Sequence, residues 1–428
     1  MLIMFLIWYF TLTDCFYQAV RGQTSLRLLL PSNRQNPAEV QNKYTQDPGR
    51  REDKVLTNDK IIHLIGGEII GGAELHVLNL LSSLDDKHFT ALLVCLTDGS
   101  FAGLAQKKGI FTASFPMRHP LDLTLLPALT GWLRKQNASL VHTHGSRANL
   151  LGRLSAKYLK IPCVSTYHSS LAHDYLSPWS ARLALALDKL TLPLTAGIIT
   201  VSEHLRKEVA ARGGQNIRII YNGYPSLDFS ESAAQRQYFR NLWHIPDDAV
   251  VIGTIARLHP TKGHHYLIQA TARLKTALPN MHLLLIGDGP LAQELAAELQ
   301  QKNLNYTIAG YLPQAYEALP AMDLFVLPSL SEGMGLVLLE AMQARLPIVA
   351  SAAGGIPELI RPGLDGLLVP AGESGALAEA CLSVLENPML AKALTTSAYQ
   401  RWPQFSLAAM LAATQIFYEE ILKTRNKT

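Results

Sequence analysis

Short runs of hydrophobic residues alternate with longer amphipathic stretches from Lys60 onwards. A short run rich in Val, Ile and Leu that ends at glycine or polar residues is typical of a buried strand, whereas apolar residues at every third or fourth position predict a helix. The first set of runs predicts strands at residues 61–66, 91–96, 111–115, 140–143, 163–167, 197–201 and 217–221. Helices are predicted between them at residues 75–84, 125–135, 148–159, 179–192 and 203–211. This alternation indicates right-handed crossovers and a buried parallel sheet.

The alternation stops at residues 222–247 and then restarts. The second set of runs predicts strands at residues 250–255, 282–286, 307–309, 324–327, 348–350 and 366–369. Helices are predicted at residues 264–277, 291–300, 336–344, 377–385 and 407–422. Two doubly wound α/β sets in tandem predict two Rossmann-like domains that face a central cleft, where ligands meet the carboxyl ends of the strands. We predict an N-terminal domain over residues 59–224 and a C-terminal domain over residues 225–405.

The first 58 residues differ from the rest of the chain. Residues 1–13 carry no charged side chain, but a membrane-spanning helix needs about 20 apolar residues. Residues 22–59 are polar and contain prolines, which is typical of a disordered linker. Three interpretations stay open: a membrane anchor, a helix that lies on the membrane surface, or a start codon assigned too early. If the stretch inserts, Arg21 and Arg27 favour a cytoplasmic location for the remainder.

Composition narrows the function classes. Hydrophobic residues make up 48% of the chain and charged residues 17%, which suits a folded α/β protein with large cores. The net charge of +4 is compatible with an anionic substrate or an anionic membrane surface. The sequence contains no basic stripe with interleaved aromatic residues, so nucleic-acid binding is not predicted. The four cysteines form no C-x2-C pair, so neither a zinc site nor a disulfide framework is predicted. We predict a cytoplasmic protein, with contact to the inner face of the membrane as a further hypothesis.

The segment 327–355 carries the strongest candidate chemistry. Glu332 lies in a glycine-containing loop after a predicted strand, and Glu340 lies in the following helix among apolar residues. A glutamate in such surroundings is rarely buried without a partner, and the first N–H groups of a helix can bind an anion. On these grounds alone, an ordinary strand-to-helix turn remains an alternative to a binding site.

This segment, LPSLSEGMGLVLLEAMQARLPIVASAAGG, resembles the donor-binding segment of the retaining glycosyltransferases of family 4, which have the GT-B fold. The resemblance implies that Glu332 contacts the hydroxyl groups of the donor sugar and that Glu340 contacts the ribose of the nucleotide. The intervening backbone amides would meet the diphosphate; they belong to Gly333, Met334, Gly335 and Leu336. In GT-B proteins the last helix often crosses back to the first domain, and we predict this for residues 406–428.

Three strand ends in the first domain carry further candidates. Gly71 and Gly72 begin a predicted helix but do not form a G-x-G-x-x-G pattern. They belong either to a close-packed turn or, by the resemblance, to the family's first loop, which lies over the reacting phosphate and sugar. His142 and His144 form a His-x-His pair without a further ligand cluster, so lining of the acceptor side is predicted rather than a metal site. His168 is either a structural hydrogen-bonder or, by the resemblance, a contact of the donor sugar.

Arg257 and Lys262 follow the first strand of the second domain. They are either ordinary surface cations or a clamp on a diphosphate, with the arginine as a bidentate fork and the lysine as a point charge. The resemblance implies that they neutralise the departing nucleoside diphosphate, so neither a metal nor another cofactor is expected. Gly287 is predicted to line the base pocket, and Asn222 is assigned to the substrate site.

Together these features predict a retaining glycosyltransferase that moves a sugar from a nucleotide-diphosphate-sugar to a glycan or lipid-linked acceptor in cell-envelope polysaccharide or glycolipid synthesis. The predicted catalytic residues are Arg257, Lys262, Glu332 and His168. Two alternatives stay open: a nucleotide-sugar 2-epimerase on the same fold, and a non-catalytic nucleotide-sugar-binding partner of a glycan-assembly complex.

Overall fold

A computed structural model describes residues 59–425 of the chain, apart from residues 69, 85–87, 173 and 176. The predicted anchor and linker in residues 1–58 lie outside the described residues. The thirteen predicted strands all overlap observed strands, although individual ends differ. These strands are β1 (Asp59–Ile65), β2 (Phe89–Cys95), β3 (Thr112–Ser114), β4 (Leu140–His144), β5 (Cys163–Tyr167), β6 (Gly197–Thr200), β7 (Ile217–Ile219), β8 (Val250–Ile255), β9 (Met281–Ile286), β10 (Tyr306–Gly310), β11 (Leu324–Leu327), β12 (Ile348–Ser351) and β13 (Leu367–Val369).

The strands form two sheets, one of seven strands in the order β3-β2-β1-β4-β5-β6-β7 and one of six in the order β10-β9-β8-β11-β12-β13. Neighbouring strands such as β1 and β4, or β8 and β11, run parallel. In both sheets the first strand lies inside, and the strand order reverses beside it. This reversal is the point at which doubly wound sheets bind ligands, just beyond the carboxyl ends of their strands. The predicted α/β fold class is therefore confirmed.

Successive residues of the second sheet alternate between two hydrophobic cores. Leu284 and Phe325 contribute to the core on one face, whereas Leu283 and Val326 contribute to the core on the other. All four side chains are fully buried. Because each apolar side chain removed from water contributes about 1.5–3 kcal/mol, a sheet covered on both faces is strongly stabilised. This explains why these strands consist of continuous apolar runs rather than alternating polar and apolar residues.

Fourteen α-helices are described within the same residues, connected in part by short 3-10 turns. They are α1 (Gly72–Ser83), α2 (Ser100–Lys107), α3 (Leu126–Lys135), α4 (Ser146–Leu159), α5 (Pro178–Thr191), α6 (Glu203–Ala211), α7 (Ser232–Leu242), α8 (His264–Leu274), α9 (Ala292–Gln301), α10 (Leu336–Gln343), α11 (Ile356–Leu359), α12 (Ser374–Leu385), α13 (Pro388–Arg401) and α14 (Leu407–Arg425). Sequence analysis did not identify α2, α7, α11 and α13. Helix α7 buries only Phe239 and Arg240, so its sequence lacks a continuous apolar stripe.

The described chain separates into two compact units. The first contains the residues up to Ser165, residues 194–196 and the C-terminal residues from Leu422, and the second contains residues 166–193 and 197–421. Within the second unit, α14 packs at β6, where a Cβ on Gly197 would lie 2.6 Å from the ring of Phe417. The predicted domain bounds and the predicted crossing of the last helix stay predictions. None of the described helices combines the length and the apolar character that a transmembrane span requires.

Candidate active site

Two neighbouring strands of the second unit, β8 and β11, end at the same edge of their sheet and carry two loops that bond to each other. The carbonyl oxygen of Thr261 accepts a hydrogen bond from Leu330 N at 2.8 Å and a longer one from Ser331 N at 3.4 Å. Because backbone groups make these bonds, the relative position of the two loops does not depend on flexible side chains. Lys262 and Glu332, which lie 70 residues apart in the sequence, are thereby held close together.

The Lys262 ammonium donates a hydrogen bond to Glu332 Oε1. The hydroxyl of Ser329 donates to the same oxygen at 2.9 Å. Both charged side chains are largely buried, with 22% of Lys262 and 11% of Glu332 exposed, so water screens the ion pair less than it would on the surface. The pair therefore forms a preorganised group at the carboxyl ends of two central strands. Sequence analysis missed Ser329, although it stands only three positions before Glu332.

The backbone segments around Glu332 pack so closely that Gly333 and Gly354 leave no room for a side chain. A Cβ on Gly354, whose φ is +55°, would lie 1.8 Å from the carbonyl oxygen of Glu332, and that oxygen accepts a hydrogen bond from Gly355 N at 3.1 Å. A Cβ on Gly333 would lie 1.8 Å from the carbonyl oxygen of His168. The glycines thus allow three backbone segments to meet, and the predicted residue His168 lies next to the Glu332 loop.

The loop turns into α10 at Gly335, which has a φ of +82° and is the N-terminal capping residue of the helix. Met334 is buried, and its sulfur atom accepts a hydrogen bond from the backbone N–H of Asn222 at 3.1 Å. This contact brings Asn222, another predicted residue, to the loop. Leu336 is the first residue of the helix. The N–H groups of its first turn carry partial positive charge, so this end of α10 favours a negatively charged ligand.

Glu340 lies one turn further along α10 and has a different partner. Its carboxyl group is buried, with 8% of the residue exposed, and accepts a hydrogen bond from the hydroxyl of Tyr224 at 2.5 Å. Burial raises the pKa of Glu340 to about 7, and the hydrogen bond from Tyr224 acts in the opposite direction. Sequence analysis recognised that a glutamate here needs a partner but did not identify Tyr224, because that residue is 116 positions away.

Arg257 and Gly287 lie at the ends of the adjacent strands β8 and β9. Arg257 is exposed, and Gly287, with a φ of +141°, allows its chain to pass so close that a Cβ would lie 2.0 Å from the carbonyl oxygen of Ala256. His259 stands between the two predicted cations. Burial lowers its pKa, and the charges of Arg257 and Lys262 lower it further, which indicates a positive potential at this sheet edge.

The first unit contains the remaining predicted residues. Gly71 caps α1 and donates its N–H to the carboxylate of Glu74 at 3.1 Å, while Gly72 begins the helix. This arrangement is a capping interaction at a strand-to-helix turn. It is consistent with the close-packed turn that the sequence left open, and it leaves the predicted contact with the substrate as a prediction.

His144 belongs to a buried histidine cluster with His63 and His142. The ring nitrogens of these three residues lie within 4.8 Å of one another, a spacing at which histidines can hold a transition metal. His63 Nδ1 and His144 Nε2 are 3.1 Å apart, at hydrogen-bonding distance. Burial and the charge of His76 lower the pKa of His63 to about 3, so the ring is neutral. Sequence analysis did not find this third histidine because β1 supplies it through its register with β4.

Within the second unit, the structure therefore brings several predicted residues to one loop. They are His168, Asn222, Lys262, Glu332, Gly333, Met334 and Gly335. Glu340 bonds to the segment after β7 instead of to the Lys262–Glu332 pair.

Two family descriptions match this chain. "Glycosyltransferase Family 4" matches residues 70–226, and "Glycosyl transferases group 1" matches residues 235–401. The chain belongs to the family 4 glycosyltransferases. It is therefore a glycosyltransferase with the GT-B fold, as the donor segment predicted.

Similar proteins include glycosyltransferases with different substrates. The UDP-Gal:alpha-D-GlcNAc-diphosphoundecaprenol alpha-1,3-galactosyltransferase of Escherichia coli is 25% identical, over 77% of this chain and 89% of that protein. The alpha-maltose-1-phosphate synthase of Mycolicibacterium smegmatis is 26% identical, over 83% of this chain and 96% of that protein. The crystal structure of Anabaena HepE in complex with UDP and glucose has a TM-score of 0.74 and 24% identity, and it covers 85% of this chain and 100% of its own. The structural similarity shows the shared GT-B fold.

Proposed function

We propose that this glycosyltransferase moves a hexose from a UDP-sugar to a lipid-linked or glycan acceptor, with retention of configuration, in the synthesis of a cell-envelope polysaccharide or glycolipid. The observation that carries the proposal is the Lys262–Glu332 pair at the N-terminal end of α10. At one sheet edge, a cation and the N–H groups of a helix N-terminus suit the diphosphate of a nucleotide-sugar, and a carboxylate suits the hydroxyl groups of its sugar.

Lys262 and Arg257 supply positive charge where the diphosphate leaves. Negative charge grows on this group while the bond from its oxygen to the sugar breaks, so fixed cations stabilise the transition state more than the bound substrate. Lys262 already lies in a largely buried pair, which means that little reorganisation is needed when the donor enters. No step of this kind requires a metal ion.

Glu332 orients the donor instead of attacking it. Ser329 and Lys262 hold one of its oxygens, and this restricts the rotation of the carboxylate that would accept hydrogen bonds from sugar hydroxyls. In the proposed step the acceptor oxygen bonds to the anomeric carbon on the face from which UDP departs. The acceptor's proton moves to the departing phosphate oxygen, so no second carboxylate is needed as a base. His168, whose backbone contacts Gly333, would contact the donor sugar.

The names of similar proteins support the proposed donor and acceptor. The name of the Escherichia coli relative specifies a UDP-sugar donor and a diphosphoundecaprenol-linked acceptor. The net charge of +4 is compatible with the phosphates of both. The same charge would permit contact with the inner face of a membrane where a lipid-linked acceptor is presented.

The test is a transfer assay with UDP-glucose and UDP-galactose as donors and an undecaprenyl-diphosphate sugar as acceptor. We expect one donor to give a product in which the new linkage keeps the α-configuration of the donor, measured by the proton coupling constant at the anomeric carbon in NMR. A β-linkage would contradict retention. Conversion of the donor without attachment to an acceptor would instead favour an epimerase.

A further inference from the structure

The segment 222–227 connects β7 to the second sheet and is held from two sides. On one side, Gln343 of α10 donates its amide to Pro225 O at 3.1 Å and accepts from Leu227 N at 2.8 Å. On the other side, the backbone of Tyr224 pairs with the chain just before α14: Tyr224 N donates to Phe405 O at 3.0 Å. The backbone of this connecting segment is therefore fixed, and the side chain of Tyr224 extends from a rigid base.

That side chain ends at Glu340. Tyr224 and Glu340 are each only 8% exposed, and among the described residues the 2.5 Å hydrogen bond between them is the one that their side chains make. Tyr224 takes up one oxygen, Oε1, and a carboxylate has acceptor capacity for several hydrogen bonds. A ligand with hydroxyl groups can thus bind to Glu340 while Tyr224 remains in place.

We propose that Tyr224 is a positioning residue for donor binding: its hydroxyl orients the Glu340 carboxylate and stabilises the ionised form that accepts hydrogen bonds from the ribose of the donor. This inference rests on the proposed function, in which Glu340 contacts the nucleotide ribose. It assigns a role in donor affinity to the segment between the two sheets, outside the donor segment itself.

The electrostatics of Glu340 support this role. Burial raises the pKa of Glu340 to about 7, while the hydrogen bond from Tyr224 lowers it. Among the described residues, the titratable groups that interact with Glu340 are Tyr224 and Tyr316. Burial is the main cause that raises the pKa of each tyrosine. The charge of Glu340 raises both pKa values further, and Glu317 adds to the effect on Tyr316. Both tyrosines are therefore neutral near neutral pH, and within the described part of the chain the hydrogen bond from Tyr224 is what favours ionised Glu340.

This arrangement makes the affinity for the nucleotide depend on pH. Ribose hydroxyls donate hydrogen bonds, so they bind the ionised carboxylate better than the protonated one. As the pH falls below the pKa of Glu340, a proton competes with the ribose, and the dissociation constant rises by up to about tenfold per pH unit. Without the hydroxyl of Tyr224, the pKa of Glu340 rises further, and the loss of affinity begins at a higher pH.

The experiment measures the dissociation constant of UDP by calorimetry from about pH 6 to pH 9 for the full chain and three variants. In Tyr224→Phe we expect the midpoint of the pH dependence to move upwards by about one pH unit, the size expected for the loss of one hydrogen bond to a carboxylate. Glu340→Gln should remove the dependence that comes from this residue. Tyr316→Phe is the matched control, because its hydroxyl accepts from Gln314 at 3.3 Å, and its midpoint should stay at the wild-type value.

The outcomes separate the two proposals. If wild-type protein binds UDP and Glu340→Gln alters the pH dependence, but Tyr224→Phe leaves the midpoint unchanged, the role of Tyr224 is wrong and the donor assignment stands. If the wild-type protein binds no UDP at any pH, the proposed donor fails and this inference fails with it. Should Tyr224→Phe fail to fold, Tyr224→Met removes the same hydroxyl with a more adaptable side chain, and the same midpoint decides.

Discussion

Glu332 and Glu340 stand eight residues apart and are buried to a similar extent, but they differ in their partners. Glu332, in the loop, is paired with the ammonium of Lys262, whereas Glu340, in the helix, is bonded to the neutral hydroxyl of Tyr224. A cation offsets the cost of burying a charge, but a hydroxyl does so only in part, which is why the pKa of Glu340 is raised. The partner, more than the extent of burial, therefore determines what a buried carboxylate can do.

The largest expected effect is on the charged pair of the loop. Glu332→Ala and Lys262→Ala should each lower kcat by about 100-fold to 1000-fold, because we propose that Glu332 orients the donor sugar and that Lys262 neutralises the departing diphosphate. Steady-state kinetics with the preferred UDP-sugar measures the change. Lys275→Ala is the control: this exposed lysine of the same unit donates a hydrogen bond to Asn303 O at 2.7 Å, and the kcat of the variant should stay at the wild-type value. Near-normal turnover in both loop variants would break the assignment.

The helix carboxylate should affect stability in a pH-dependent way. Because the pKa of Glu340 is raised in the folded protein to about 7 from 4.5, the folded state binds the proton more tightly than the unfolded state between these values. The wild-type protein should therefore lose stability relative to Glu340→Gln as the pH rises through this window, by about 3 kcal/mol in total.

The measurement is the free energy of unfolding in urea for both proteins from about pH 5 to pH 8. Above pH of about 7 the difference between the two proteins should become constant. A difference that is constant over the whole range would mean that burial does not raise the pKa of Glu340 in the folded protein.

The backbone that holds the loop glutamate can be tested separately. Gly354→Ala should destabilise the protein by at least about 2 kcal/mol, because the new Cβ meets Glu332 O at a positive φ of +55°. Gly103→Ala is the matched control: this glycine lies in α2, and the added Cβ would meet no other described atom within 4 Å beyond the backbone of its own helix. There we expect a gain of about 0.5–1 kcal/mol from helix propensity. Thermal unfolding of both variants measures the difference, and equal effects would show that the loop backbone adapts.

The smallest expected effect concerns metals. If Lys262 and Arg257 neutralise the departing diphosphate, the transfer rate should not change when EDTA is added. A rate assay with and without EDTA, followed by addition of Mn²⁺ or Zn²⁺, tests this. A loss of activity that a metal restores would direct attention to the histidine cluster of His63, His142 and His144.

The strands were predictable because most of them contain a run of buried apolar residues, as in β9 and β11. Helices with a weak apolar stripe were not: α13 buries only Leu394 and Ala398, and too few positions mark its periodicity. The family resemblance of residues 327–355 could be recognised because the loop, the helix and both carboxylates of this segment are contiguous in the sequence.

The α/β fold class, the family and the charged residues that follow the strands can all be recognised from the sequence alone. The tertiary structure decided which of these residues are partners. Lys262 meets Glu332 because β8 and β11 are neighbours in the sheet, His63 joins His144 through the pairing of β1 with β4, and Tyr224 reaches Glu340 across 116 residues. The physical reason is that hydrophobic periodicity is a local property of the chain, whereas the pairing of buried polar groups depends on the strand order and on which loops the glycines allow to touch.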